Sequence, residues 1–240
     1  MTYCVGLLLN DGMVLLSDTR TNAGLDNIAT YRKMYHFEDA GERIITIVAA
    51  GSLSVTQTTI ARLREAVEDS DATPDTSVML APTMLKVAEI VGNVLAQVRR
   101  DIDEKLSMSQ GASATMIVAG QRKAGAMRMF LIYPEGNFIE ATEDTPFLQI
   151  GEHKYGKPIL DRVVTPATSL ADAQKAVLLS MDSTLRSNLS VGMPLDLCVI
   201  ERDDCRTSML RRIEAGDESF RAMSEAWSRA LRDGFTQIEV

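Results

Sequence analysis

Residues 3–9 (Tyr-Cys-Val-Gly-Leu-Leu-Leu) and 13–17 (Met-Val-Leu-Leu-Ser) are apolar runs with almost no alternation. A half-buried strand alternates apolar and polar side chains at period two, whereas a strand covered on both faces does not. Asn10-Asp11-Gly12 between the runs is a hairpin turn signal. The chain therefore opens with an antiparallel hairpin whose strands are buried on both sides. That hairpin cannot belong to a sheet with one wet face.

The rest of the chain supplies the covering layers. Arg43 to Ala49 reads as a third buried strand, with Ser52 as the N-cap of a helix over Leu53 to Glu68. Ser70 to Pro82 is polar, contains two prolines and reads as a loop. Thr83 caps a long helix in which Met84, Val87, Val91, Leu95, Val98 and Ile102 share one face. Strands follow at Ala114–Ala119, Met127–Tyr133 and Phe138–Ala141. Helices are expected near Lys154–Arg162 and over about Ser169–Arg186, the second with Asp172 three residues after its cap. A strand pair at Leu195–Glu201 and Thr207–Arg212 precedes a last amphipathic helix, Asp217–Arg232, with Trp227. Helices arrive in pairs between groups of hairpin-linked strands, so the class is α+β with antiparallel sheets, not an alternating βαβ chain. No composition break or repeat divides residues 1–240, which read as one domain.

Charge and motifs exclude several functions. The chain carries 25 basic and 33 acidic residues, net −8, which argues against nucleic acid as a partner. No run reaches the ~18 apolar residues of a membrane span, and the N-terminus lacks the basic start of a signal peptide. A cytoplasmic protein is expected. Cys4, Cys198 and Cys205 read as reduced thiols, and with only His36 and His153 beside them no metal site is expected. There is no Walker loop, G-x-G-x-x-G, H-E-x-x-H or G-x-S-x-G motif. No cofactor is expected. His36 and His153 read as structural or solvated histidines, and Cys4 as a packed thiol.

Thr2 escapes this elimination. Once Met1 is removed, its hydroxyl and a free α-amine sit on one residue, and an amine of pKa ~7.7–8.0 is a base for that hydroxyl near neutrality. The buried strand that follows ties the terminus down. The hairpin returns Ser17-Asp18-Thr19-Arg20 beside the start, so Asp18 is expected close to Thr2. Lys33 near the amine would lower its pKa by like-charge repulsion, and Asp18 would hold Lys33 by a charge-assisted hydrogen bond. Arg32 is a lesser rival for that place.

The strings T-x-x-V-G at 2–6, D-G-x-V-L-x-x-D-x-R at 11–20, a lysine at 33 and A-A-G at 49–51 resemble a proteasome-type β subunit. The segment A-T-M-I-V-A-G at 114–120 is similar to a central strand of that fold. S-D-T-R-T-N-A-G at 17–24 and R-S-N-L-S-V-G at 186–192 look closest to the bacterial branch called Anbu, the ancestral beta subunit. The resemblance implies an N-terminal-nucleophile fold, a four-layer αββα sandwich, with a helical extension over about 214–240. It implies Thr2 as the nucleophile, its α-amine as the base, Lys33 as the pKa-tuning residue, Asp18 as its orienter and Gly51 N–H as the oxyanion donor. It also implies a self-assembled ring or open spiral ring that acts on a peptide or amide substrate, with no nucleotide site of its own to drive unfolding. Two positions depart from the family pattern. Glu152 stands where a serine commonly assists the amine. Ser190 aligns with a second supporting serine, whose accompanying aspartate is replaced by Ser187 or Asn188. A scaffold subunit and a non-protease amidase therefore remain as alternative readings.

Overall fold

The computed structural model describes residues 1–22, 28–106 and 112–239. Ala23 and Gly24 of the 17–24 string lie outside the described residues. The opening hairpin forms as expected: β1 (Tyr3–Leu9) pairs antiparallel with β2 (Gly12–Asp18), Cys4 opposite Ser17. A five-stranded antiparallel sheet runs β10–β1–β2–β11–β12, with β10 Phe147–Gly151, β11 Leu195–Glu201 and β12 Met209–Ile213. The second runs β5–β6–β7–β8–β9, from Met34–Asp39, Arg43–Gly51, Ala114–Arg122, Arg128–Ile132 and Phe138–Glu140. A short ribbon, β3 (Arg20–Asn22) with β4 (Ile28–Thr30), stands apart from both.

Alternation within the strands sorts the apolar side chains into three layers. Ile45, Ile47 and Ala49 of β6 face α1 (Leu53–Glu68) and α2 (Met84–Leu106), and pack with Val87, Val91 and Leu95. Ile44, Val48 and Ala50 face the other sheet and meet Cys4, Met13 and Leu15. Val5, Leu7, Val14 and Leu16 turn the opposite way, onto α3 (Lys157–Val163) and α4 (Leu170–Ser187). Helix, sheet, sheet, helix is the αββα order, and it explains why the opening hairpin lacks alternation. Helix α5 (Glu218–Thr236) lies outside this frame, joined to α4 where Ser224 donates to Asp182 at 2.7 Å.

Local signals set most helix starts. Thr83 Oγ1 accepts from Lys86 N at 3.1 Å, and Ser169 Oγ accepts from Asp172 N at 3.1 Å. Ser52 stands at the N-cap position but makes no side-chain cap bond; its hydroxyl pairs with that of Ser54 instead. The helix expected near Lys154–Arg162 is divided into a 3-10 turn, His153–Tyr155, and α3, because Gly156 and Pro158 interrupt continuous helix. Strand β10 carries too short a pattern to read from sequence and forms by pairing with β1. Among the described residues no helix is long and apolar enough to cross a membrane. The three cysteines are free and buried.

Candidate active site

The first strand pins Thr2 from both sides. Tyr3 pairs with Gly151, and the Thr2 carbonyl accepts from Glu152 N at 2.8 Å. The Tyr3 N–H donates to Asp18 Oδ1 at 3.2 Å, so the hairpin does bring Asp18 to the start of the chain. Tyr3 is anchored in turn by its hydroxyl, 2.6 Å from Ser180 Oγ on α4 and 2.5 Å from Gln149 Nε2 on β10. Burial pushes that phenol up to about 12, so it stays neutral and serves as a fixed post. Tyr3 points to the helix side and Cys4 to the gap between the sheets. Alternation places Thr2, which is buried, on Cys4's side.

Asp18 and Lys33 form the electrostatic centre. Lys33 Nζ donates to Asp18 Oδ1 at 2.8 Å and to the Arg20 carbonyl at 2.6 Å. Both side chains are buried. Burial pushes the Asp18 carboxyl above the ordinary carboxylate range, while Lys33 and the amides of Tyr3 and Gly192 pull it back. Arg32, the rival by sequence, is exposed, and among the described residues no hydrogen bond or ion pair joins it to Asp18. The second sheet reaches this centre through Ala49: its N–H donates to the Lys33 carbonyl at 2.9 Å, and Cys4 Sγ lies 3.7 Å from its carbonyl. Desolvation raises the Cys4 thiol far above its usual range, which agrees with a packed thiol and removes it as a rival nucleophile.

Gly51 ends β6 two residues beyond Ala49, with φ +113°. A Cβ there would lie 2.4 Å from the Ser113 carbonyl oxygen, so both conformation and space require glycine. Gly51→Ala is expected to destabilise the protein by about 3 kcal/mol, read as a lowered urea midpoint at unchanged slope. An unchanged midpoint would mean that the strand end shifts freely, and that Gly51 is no fixed donor.

The segment after α4 reaches the site through its backbone. Ser190 is half-buried and its N–H donates to Asn188 Oδ1 at 2.9 Å. Among the described residues no hydrogen bond joins Ser190 to Thr2, Asp18 or Lys33. Instead the Gly192 N–H donates to Asp18 Oδ2 at 3.3 Å. Arg20 Nη1 donates to the Leu189 carbonyl at 3.1 Å, and a Cβ on Gly192 would lie 2.1 Å from Arg20 Nε. Tyr3, Arg20 and Gly192 are thus the positioning residues that sequence reasoning missed. Arg20 and Gly192 fall inside the quoted strings, but nothing local marks them as neighbours. His36 and His153 take structural places: their Nδ1 atoms lie 3.0 Å from Thr46 Oγ1 and from the Gly151 carbonyl oxygen. Among the described residues no group of His, Cys, Asp and Glu side chains is arranged to hold a metal ion.

Comparison with known proteins adds a separate line of evidence. The family model described as proteasome subunit matches residues 2–200. Among solved structures, Anbu from a Hyphomicrobium strain is 48% identical with TM-score 0.92, covering 100% of this chain and 99% of that one. Anbu (ancestral beta-subunit) from Yersinia bercovieri is 40% identical with TM-score 0.92 over 100% and 99%. The helical assembly of the Anbu complex from Pseudomonas aeruginosa is 41% identical with TM-score 0.93 over 100% and 98%. Comparison with curated proteins found no match.

Proposed function

The chain belongs to the proteasome subunit family, and on that premise we propose that it is a threonine-type amide hydrolase whose nucleophile is Thr2 after loss of Met1. The observation that carries this reading is the buried Asp18–Lys33 pair at 2.8 Å, whose carboxylate also receives the N–H of the residue after Thr2. Lys33 has three N–H donors and spends two of them on Asp18 and Arg20. Among the described residues no other acceptor takes the third, which this reading assigns to Thr2 Oγ.

Thr2 Oγ attacks the substrate carbonyl carbon as the α-amine of the same residue takes its proton. Lys33 favours the alkoxide and lowers the amine's proton affinity by like-charge repulsion. The Gly51 N–H receives the oxyanion of the tetrahedral intermediate. The α-ammonium then gives its proton to the leaving amine, the C–N bond breaks, and a threonyl ester remains. Water, deprotonated by the amine, releases the acid and restores the hydroxyl.

The likeness to Anbu structures, one of them titled a helical assembly, supports self-association as a ring or open spiral. A cytoplasmic setting agrees with three unpaired cysteines. The scaffold reading has one specific observation in its favour: the residue whose N–H donates to the Thr2 carbonyl is Glu152, an acidic residue where a serine commonly assists the amine. The test is intact mass after exposure of Met1-free protein to a small β-lactone. One mass adduct per chain is expected, mapped to residue 2. No adduct, with the probe proven on another threonine hydrolase, would select the scaffold.

A further inference from the structure

The protein surface passes between Met1 and Thr2. Met1 is 63% exposed, whereas Thr2 is 8% exposed and Tyr3, Cys4 and Val5 are fully buried. β1 is an interior strand, paired with β10 from Tyr3 and with β2 from Cys4. The backbone groups next to Met1 are taken as well. The Thr2 carbonyl accepts from Glu152 N at 2.8 Å, and the Tyr3 N–H donates to Asp18 Oδ1 at 3.2 Å. Gly151, at φ +79°, lies so close to that carbonyl that a Cβ on it would be 1.9 Å from the oxygen. Tyr3 is locked by its hydroxyl to Ser180 and Gln149.

An enzyme that removes a first residue must hold the residues after it in extended form, with their backbone groups open to pairing. In the folded chain the Met1 side chain is accessible, but the far side of the Met1–Thr2 amide is not. To reach it, β1 has to leave both neighbouring strands. That withdraws Tyr3, Val5 and Leu7 from the core against α4 and Cys4 from the core between the sheets. Interior strands open at a cost near that of unfolding the whole domain. The open fraction of a native domain is about 10⁻³ or less.

We infer that Met1 is removed before β1 is built into its sheet, from the nascent or unfolded chain and by an aminopeptidase acting in trans, and that a chain which folds with Met1 in place keeps it. The step is a hydrolysis. The Met1–Thr2 C–N bond breaks, the hydroxyl of water goes to the Met1 carbonyl carbon, and its proton goes to Thr2 N, which becomes the α-amine. The order of events stands independently of the reading of Thr2 as nucleophile, on which only the chemical consequence rests: a chain folded too early has no terminal base and stays unreactive.

The test uses the full chain made in a reconstituted translation system free of aminopeptidase. Purified methionine aminopeptidase is added either at the start or after the chain has folded, as shown by protease resistance. The free peptide Met-Thr-Tyr-Cys-Val is run alongside, and Met1 is followed by intact mass. Loss of Met1 is expected to be complete for the peptide and for the chain made with the peptidase present. For the folded chain it is expected to be at least ~10³-fold slower than for the peptide, the scale of the open fraction. Gly51→Ala, which lowers stability, should lose Met1 about 10²-fold faster than wild type, because the open fraction sets the rate. Four results overturn the order of events. They are a folded chain trimmed within tenfold of the peptide's rate, loss of Met1 from the folded chain without peptidase, retention of Met1 by the peptide or the nascent chain, and no acceleration in a Gly51→Ala protein of lowered urea midpoint. Adducts of a small β-lactone should follow the Met1-free fraction in every sample. Met1 lost as expected but no adduct in any sample fails the nucleophile reading and leaves the order of events standing.

Discussion

Thr2→Ala is expected to lose acylation by about 10⁴-fold or more, the scale on which removal of a nucleophile acts in hydrolases that work through a covalent intermediate. The fold should not follow. Among the described residues Thr2 is held through its backbone, by Glu152 N on its carbonyl, so truncation at Cβ removes none of those bonds. The loss of stability is expected to stay within about 1 kcal/mol. Thr2→Ser keeps the hydroxyl and the amine and should retain labelling at a reduced rate, because the threonine methyl no longer restricts the rotamer. Adduct formation and urea midpoints, measured on the three proteins side by side, check both statements. If Thr2→Ala labelled as fast as wild type, the nucleophile would lie elsewhere. It would not be Cys4, whose buried thiol resists ionisation.

Lys33→Ala is expected to be the most destabilising change at the site, by about 3–5 kcal/mol at neutral pH, because it leaves Asp18 buried with no counter-charge. The sign of its pH dependence follows from the carboxyl. In the native protein burial already raises Asp18 above its unfolded value. Without Lys33 it rises further. Between the unfolded value of ~3.9 and that folded value, the folded state holds a proton that the unfolded state has released. Stability then falls as pH rises through the window. The deficit of the variant relative to wild type should be smaller at pH 4.5 than at pH 8, by urea denaturation at each pH. The double variant D18N/K33A should recover part of the loss at pH 8, since no buried charge remains. A deficit equal at both pH values would show that lost packing of the lysine stem, not an orphaned carboxylate, is responsible. Acylation should be lost in Lys33→Ala and in the double variant alike, which separates the chemical role of Lys33 from its structural one.

The legible parts of the fold were the ones with local signals. The hairpin at residues 3–18, α1, α2 and α4 announce themselves by periodicity, by Asn10-Asp11-Gly12 and by Thr83 and Ser169. Asp18 was legible because a tight hairpin returns it opposite the start of its partner strand at a countable distance; Lys33, beyond the hairpin, was singled out from Arg32 only by the resemblance to proteasome-type β subunits. Strand β10 was not, because five residues of mixed polarity make a strand only where β1 offers an edge to pair with. The supporting role assigned to Ser190 was a matter of alignment. The loop after α4 leaves the register open, and only the structure shows that the Gly192 N–H reaches Asp18.

What the sequence determined by itself was the layer order and the chemistry available. Unalternating strands demand cover on both faces, and the resemblance to proteasome-type β subunits implies Thr2, Asp18 and Lys33 as the reacting and tuning groups. What only the tertiary structure decided was the surroundings of that chemistry. Tyr3 is anchored across 177 residues to Ser180, and Gly192 is held against Arg20 and Asp18. Each of these rests on contacts between segments far apart in the chain. Periodicity and propensity report only on neighbours along the chain, so such contacts exist only once the two sheets have closed on one another.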